Sequence, residues 1–310
     1  MAFFVHPFMQ RLAAILLRGL QGLFRFLPFA LLYRLSDGLF LLLYHGVRYR
    51  RGVVRANLGR SFPRQSPAEL RTIERRFYRS LCDLLLESLK VCSLPKAELV
   101  ERFRCCNPDC FEPFLKAGRS ALVVGGHLGN WEWGALAFPA QVPHPVVGLF
   151  KPLRNRHVEA LLNRCRESHG LHLVPLPQTA RALARWKNRP AIWVLIADQT
   201  PVDVQNAHWT TFLHQDTPFL PGADKIARKM DWPVFYYEVR RLDRGRYEFE
   251  FQLLTPTPRT LPPGGVTQLF ALALEASIRR HPPDWLWSHR RWKRARRNLP
   301  GEKRKEKGGA

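Results

Sequence analysis

The sequence predicts an α/β domain with a mixed, mostly parallel central sheet flanked by helices, preceded by a hydrophobic, amphipathic helical region. Three observations carry this. Short apolar runs at 120–126, 146–150, 171–174, 191–196 and 233–240 alternate with segments of helical periodicity, the order a layered sheet requires. The run Ala121 to Val124 is apolar without interruption, as a strand covered on both faces is. The first fifty residues are dominated by Leu, Phe and Ala, yet Arg11, Arg18, Arg25, Arg34 and Asp37 break them up.

Taken in order, Arg11, Arg18 and Arg25 recur every seven residues and so share nearly one helical face. Leu12, Ile15, Leu16, Leu20 and Leu23 form an apolar face beside them, the pattern of a helix lying among lipid headgroups. The plainer reading is an amphipathic helix packed on the domain. Charges fall too often for a clean spanning helix, and no small-residue cleavage site follows a short apolar core. The basic cluster Arg48-Tyr-Arg50-Arg51 suits an anionic leaflet. Ser66, Pro67 and Glu69 make a capping box with proline at the first helical position, and Leu70, Ile73, Phe77, Leu81 and Leu84 continue the helix toward Val91. Short helices are expected over 95–104 and just before Gly118. The strand at 120–126 leads into a helix from about 129. A strand at 146–150, a helix at 156–168, a strand at 171–174, a helix at 178–188 and a strand at 191–196 follow. Residues 199–221 read as an irregular loop. A helix at 222–231 precedes the strand at 233–240, and 247–253 returns antiparallel after Asp243-Arg-Gly245. The last helix spans 265–280. Three regions result: a membrane-associated helical region at 1–50, a catalytic domain at 51–299 and a disordered basic tail at 300–310.

Composition narrows the partners. The 310 residues carry 49 Lys and Arg against 25 Asp and Glu, a net charge of +24, which calls for an anionic partner. Nucleic acid, an acidic lipid surface and an acidic carrier protein all qualify, but no nucleic-acid-binding module is evident. The six cysteines lack paired CxxC spacing, so no metal is expected, and the plainer reading is reduced, partly buried thiols.

Chemistry concentrates at 121–138. The strand stops at Gly125-Gly126, His127 follows, and Glu132 stands five positions on as the helix begins. A histidine beside a carboxylate at a strand-to-helix turn is a general base with its orienting partner. Alternatively, Glu132 only caps the helix and His127 is a turn residue. With 11 histidines the spacing alone is not specific. Asn130 either holds the loop or caps the helix. Trp131 and Trp133 line an acyl groove or pack in the core. Asp198 ends another apolar strand at the same edge, where ligands gather in open sheets; its plainer role is loop capping.

The surrounding blocks are more specific. His127-Leu-Gly-Asn130-Trp-Glu132 resembles the His-x4-Asp/Glu motif of the lysophospholipid acyltransferase superfamily, in the form of its lipid A (Kdo-dependent lauroyl and myristoyl) branch. Arg55-Ala-Asn-Leu58 with Phe62-Pro63 resembles that branch's N-terminal signature, and Phe150-Lys151-Pro152 with Asn155 its "Y-R-P…N-P" segment. Ala197-Asp198-Gln199 resembles "P-D-Q"; Phe212, Thr217 and Gly222 fit "F-x-x-x-x-T…G". Trp285-Leu-Trp287-Ser-His289-Arg290-Arg291 resembles the closing "W-x-W-x-H-R-R". Lys151 stands where Arg is usual, Arg156 where Pro is common, and Phe212-Leu-His where Phe-Phe-Gly is frequent. Lysine keeps the charge but loses the bidentate fork.

The resemblance implies acyl transfer from acyl carrier protein to a hydroxyl of a phosphorylated lipid A precursor, without cofactor, at the cytoplasmic face of the inner membrane. His127 and Glu132 are the expected catalytic pair, and Asn130, Lys151, Asn155, Asp198, Arg290 and Arg291 the expected substrate-binding residues. Backbone N–H groups near 126–129 are the expected oxyanion donors. Another glycolipid or an aminolipid as acceptor, a lipid-ester hydrolase, and a non-catalytic basic binder are the competing readings.

Overall fold

A computed structural model describes residues 7–294 and 296; the tail expected at 300–310 lies outside the described residues. Nine strands form among them: β1 (Phe103–Cys105), β2 (Ala121–Gly125), β3 (Val146–Phe150), β4 (Leu171–Pro175), β5 (Ile192–Ile196), β6 (His208–Phe212), β7 (Gln215–Phe219), β8 (Val234–Asp243) and β9 (Arg246–Thr255). Seven make one sheet in the order β1-β9-β8-β2-β5-β3-β4. Its neighbours run parallel except β8 and β9, which are antiparallel. Every residue of β2 is buried, and alternate side chains enter opposite layers: Leu122 and Val124 on one face, Ala121 and Val123 on the other. The expected α/β architecture is therefore present.

The helices are α1 (Pro7–Arg25), α2 (Phe29–Phe40), α3 (Arg51–Ser61), α4 (Pro67–Lys90), α5 (Lys96–Arg102), α6 (Glu112–Lys116), α7 (Trp131–Ala137), α8 (Arg156–Ser168), α9 (Thr179–Arg185), α10 (Gly222–Met230) and α11 (Gly265–Arg280). The capping box of α4 forms as expected: Glu69 N–H donates to Ser66 Oγ at 3.3 Å and Ser66 N–H to Glu69 Oε2 at 2.7 Å. Pro28 separates α1 from α2 because it cannot continue a helix.

α1 packs on α4 and α8 but leaves Ile15, Leu16, Leu20 and Leu23 exposed. Its C-terminal carbonyls are capped by Lys90, whose Nζ donates to the oxygens of Phe24, Arg25 and Leu27. α2 is tied to α4 by buried polar groups: Ser36 Oγ donates to Asp83 Oδ1 at 2.5 Å, and Tyr33 OH to Glu87 Oε1 at 3.0 Å. Among the described residues no helix is long and apolar enough to cross a membrane.

Three expectations need correction. Residues 199–221 are not irregular throughout, because β6 and β7 pair there as a hairpin. Its turn places Leu213 and His214 at φ 49° and 62°, a conformation normally signalled by Asn-Gly, which this sequence lacks. β1 follows α5 as a short edge strand beside β9, where only a helix was expected. The cysteines are not all reduced: Cys92 and Cys165 form a disulfide across 5.4 Å between Cα atoms, joining the end of α4 to α8. That bond spans 73 residues. Cys165→Ser is expected to destabilise the fold by about 2–4 kcal/mol, and a denaturant midpoint unchanged by the substitution would show the bond contributes nothing.

Candidate functional site

Two neighbouring parallel strands build the centre. β2 and β5 end in register, Gly125 beside Ile196, and the Ala197 N–H donates to the Gly125 oxygen at 2.9 Å. The residues two beyond each strand end, His127 and Asp198, therefore meet at the carboxyl edge of the sheet. Gly126 makes this approach possible: a Cβ there would lie 2.6 Å from Leu274 Cδ1 and 3.3 Å from Asp198 Oδ2. Gly129, at φ +53°, turns the chain back into α7, and a Cβ there would meet Val239 Cγ1 at 2.7 Å.

Asp198 is only 3% exposed and accepts three hydrogen bonds. His127 Nδ1–H donates to Oδ1 at 2.5 Å, the His127 backbone N–H to Oδ2 at 2.9 Å, and Trp285 Nε1–H to Oδ2 at 2.9 Å. Burial alone would raise the Asp198 pKa. The charge and hydrogen bonds of His127, with the indole of Trp285, outweigh it and bring the carboxyl down to about 2. For His127 burial pushes the imidazole pKa down, but the charge and hydrogen bond of Asp198, helped by the charge of Glu132, turn the net direction upward. With the proton on Nδ1, Nε2 carries the lone pair and accepts from the Gln199 side-chain amide at 3.1 Å.

The expected hydrogen bond between His127 and Glu132 is not present; Asp198 occupies that role in the geometry. Glu132, in the first turn of α7, is held instead by Arg166 of α8, whose Nη2 donates to Oε1 at 3.1 Å and Oε2 at 2.9 Å. Both residues still face the same opening as His127. Asp198, expected as a substrate contact, is sealed behind the imidazole.

Asn130 is fully buried and touches no open surface. Its Oδ1 accepts the Trp133 N–H at 3.0 Å, capping α7, and its Nδ2 donates to Glu87 Oε2 at 2.6 Å. Glu87 also accepts from Tyr247 OH at 2.8 Å and from Tyr33 OH. This buried carboxylate holds the motif loop from beneath. Glu87→Ala strands three donors and is expected to cost about 3 kcal/mol or more in stability; an unchanged thermal midpoint would remove it from this role.

Three of the oxyanion donors expected at 126–129 are already committed. The N–H groups of His127, Leu128 and Gly129 donate to Asp198, to the Gly126 oxygen and to the Asp284 oxygen.

A groove of about 310 Å³ opens at His127 and runs between α7, α8 and the sheet. Its walls are apolar, with Phe138, Leu149, Leu173, Val194 and Leu195, and its mouth carries Glu132, Lys151, Arg166 and Gln199. Trp131 borders it, edge-on to His127 with ring centroids 4.9 Å apart, whereas Trp133 is core. Lys151 stands exposed at the rim. Asn155 caps α8, accepting from the His157 and Val158 N–H groups, and its Nδ2 donates to the Gln10 oxygen of α1.

The closing segment roofs the site. Leu128 and Trp285 form an antiparallel bridge, and the Leu286 N–H donates to the His127 oxygen at 3.2 Å. Asn57 Nδ2 donates to the oxygens of Trp287 and His289, both at 2.9 Å, which locks the N-terminal block to the closing block. Arg291, expected to grip a lipid phosphate, is 0% exposed. It lies over the Phe219 ring, Nη2 donates to the Pro218 oxygen at 2.7 Å, and burial lowers its pKa to about 10. It anchors the β6–β7 hairpin rather than a ligand. Arg290 is exposed. Burial lowers the His289 pKa to about 4.

Sequence reasoning missed Arg166 and Glu87. Arg166 lies among other charged residues of α8 and gave no signal. Glu87 did leave one, a carboxylate on the apolar face of α4 that Leu84 and Val91 continue.

Against known proteins, the profile of the bacterial lipid A biosynthesis acyltransferase family matches residues 8–294. The chain is also similar to a lipid A biosynthesis lauroyltransferase of Escherichia coli (strain K12), 22% identical over 278 residues, covering 88% of this chain and 89% of the relative.

Proposed function

This chain belongs to the bacterial lipid A biosynthesis acyltransferase family and is an acyltransferase, and from that premise we propose that it moves a fatty acyl group from the thioester of acyl carrier protein to a hydroxyl of a lipid A precursor. The observation that carries the chemistry is the Nδ1–H of His127 held by buried Asp198 while Nε2 faces the apolar groove. That arrangement fixes the tautomer a general base needs.

The acyl chain lies in the groove and sets its thioester carbon near His127. The acceptor hydroxyl takes the place of the Gln199 amide at Nε2. As Nε2 removes the proton, the oxygen attacks the carbonyl carbon, a C–O bond forms and the C–S bond breaks. The imidazolium, stabilised by Asp198 and by the charge of Glu132, then gives its proton to the leaving thiolate. Arg166 commits Nη2 to Glu132, and its remaining N–H groups take the charge that develops on the carbonyl oxygen. Glu132 thus serves as the partner that orients Arg166. No acyl-enzyme and no cofactor is required.

The bare apolar side of α1, flanked by arginines, supports attachment to an anionic membrane surface. The family resemblance favours the cytoplasmic face of the inner membrane. The Cys92–Cys165 disulfide weighs against a reducing compartment, so thiol labelling of whole cells decides the face.

Mass spectrometry of membrane lipids from cells with and without the protein tests the reaction. The expected result is one added fatty acyl group on a lipid A precursor. An unchanged lipid A pool with a gain on another lipid would reject the acceptor, and free fatty acid alone would make the protein a hydrolase.

A further inference from the structure

With Arg291 buried, Lys151 and Arg290 are the expected phosphate contacts left exposed, and a second group of cations stands in another opening. Beyond Trp131 a polar cleft of about 700 Å³ opens between α2, α4 and the β8–β9 turn. Trp131 borders both the acyl groove and a narrow slot beside Gly129. The slot shares Ser80, Arg241, Pro283 and Asp284 with the cleft. His127 packs edge-on to Trp131, so one indole lies between the imidazole and the slot.

The cleft's charges are not equivalent. Arg241 and Arg244 are paired with Asp83, and Arg244 also with Asp37. Asp243 accepts the Arg244 backbone N–H at 2.7 Å. Asp284 is half-buried, and burial raises its carboxyl pKa. Arg76 and Arg79 differ: both are exposed, and neither has a carboxylate within the 4.0 Å of an ion pair among the described residues. Arg79 lies over the Phe40 ring at 5.2 Å, in the field of Asp37. Helical spacing puts Arg76, Arg79 and Ser80 on one face of α4, toward the cleft. Exposed Leu242, at the end of β8, lines the cleft.

We propose that this cleft is the headgroup site of the acceptor, with Arg76 and Arg79 binding a sugar-linked phosphate and exposed Asp37 and Asp243 accepting from sugar hydroxyls. Its place beside His127 rests on the acyl-acceptor reading above; its ligand chemistry rests on the cleft. Two guanidinium groups give charge-assisted, fork-shaped donors that suit a phosphate dianion.

The test measures binding by full-length protein carrying His127→Ala, so that no turnover intrudes. Mixed micelles present a phosphorylated lipid A precursor or the same lipid after phosphatase treatment. The parent protein should bind the phosphorylated lipid at least about tenfold more tightly, and Arg76→Gln/Arg79→Gln should erase that difference. Removing two exposed arginines outside the cleft, with Arg60→Gln/Arg64→Gln, should leave it. Equal loss for both lipids, or equal loss from the control pair, overturns the proposal. So does a matching loss of binding to phosphatidylglycerol vesicles, which would make the arginines a general membrane contact. If phosphate-selective binding holds while the parent sequence with His127 intact transfers no acyl group to that lipid, the acceptor reading falls and the phosphate site stands.

Discussion

His127→Ala is expected to reduce acyl transfer by about 10³-fold or more, the scale at which a positioned general base contributes. The loss should fall on kcat, since the imidazole holds no part of the acyl chain and the groove walls are untouched. The fold should survive, because Asp198 keeps the Trp285 indole and one backbone N–H. The rate of the unsubstituted enzyme should rise with pH, because only neutral imidazole can take a proton. The direction of the His127 shift places the half-maximal point above the ordinary value of 6.5. A kcat/KM profile flat across that region, or near-normal turnover by the variant, would remove His127 as the base.

Asp198→Asn is the second large effect, expected at about 10²- to 10⁴-fold in kcat, by analogy with other imidazole–carboxylate pairs. An amide facing Nδ1 can offer its N–H instead of accepting one, which moves the imidazole proton to Nε2, the atom proposed to take the acceptor's proton. The substitution also removes the main influence that raises the His127 pKa, so the acid limb of any residual activity should move to lower pH. Stability carries its own sign. A depressed carboxyl contributes stability above its unfolded value of 3.8 that is lost as pH falls through its folded value of about 2. The raised imidazole contributes stability that is complete below 6.5 and fades as pH climbs through its higher folded value. These are two views of one pair and count once. Acid unfolding between about pH 4 and pH 2 should therefore be steeper in the parent than in Asp198→Asn. Glu132→Gln, by contrast, should leave the pH limb nearly in place while lowering kcat through Arg166.

What the sequence revealed followed the physics of short-range signals. The continuous apolar run of β2, the capping box of α4 and the turn before β9 are local, and each formed where expected. The ordering of strands put His127 and Asp198 at one edge before any coordinates. The exchange of partners was not legible. Glu132 is closer to His127 in sequence, but its side chain leaves from the first turn of α7 toward α8, while strand register brings Asp198 to the imidazole. Arg291 looked like a ligand for lipid phosphate because it is charged beside tryptophans; only the packing of Phe219 and the Pro218 oxygen reveals that it is interior. The β6–β7 turn was hidden because Leu213 and His214 adopt a backbone that their side chains do not advertise.

The roof over the imidazole comes from the last stretch of the described chain. Leu286 hydrogen-bonds the His127 carbonyl, Trp285 completes the shell of Asp198, and Asn57 holds the Trp287 and His289 carbonyls of that stretch. A ribosome-bound chain that has emerged only through α11 would own every reactive group yet lack the piece that sets them. Catalysis should switch on late in synthesis, once that stretch has folded back over the imidazole.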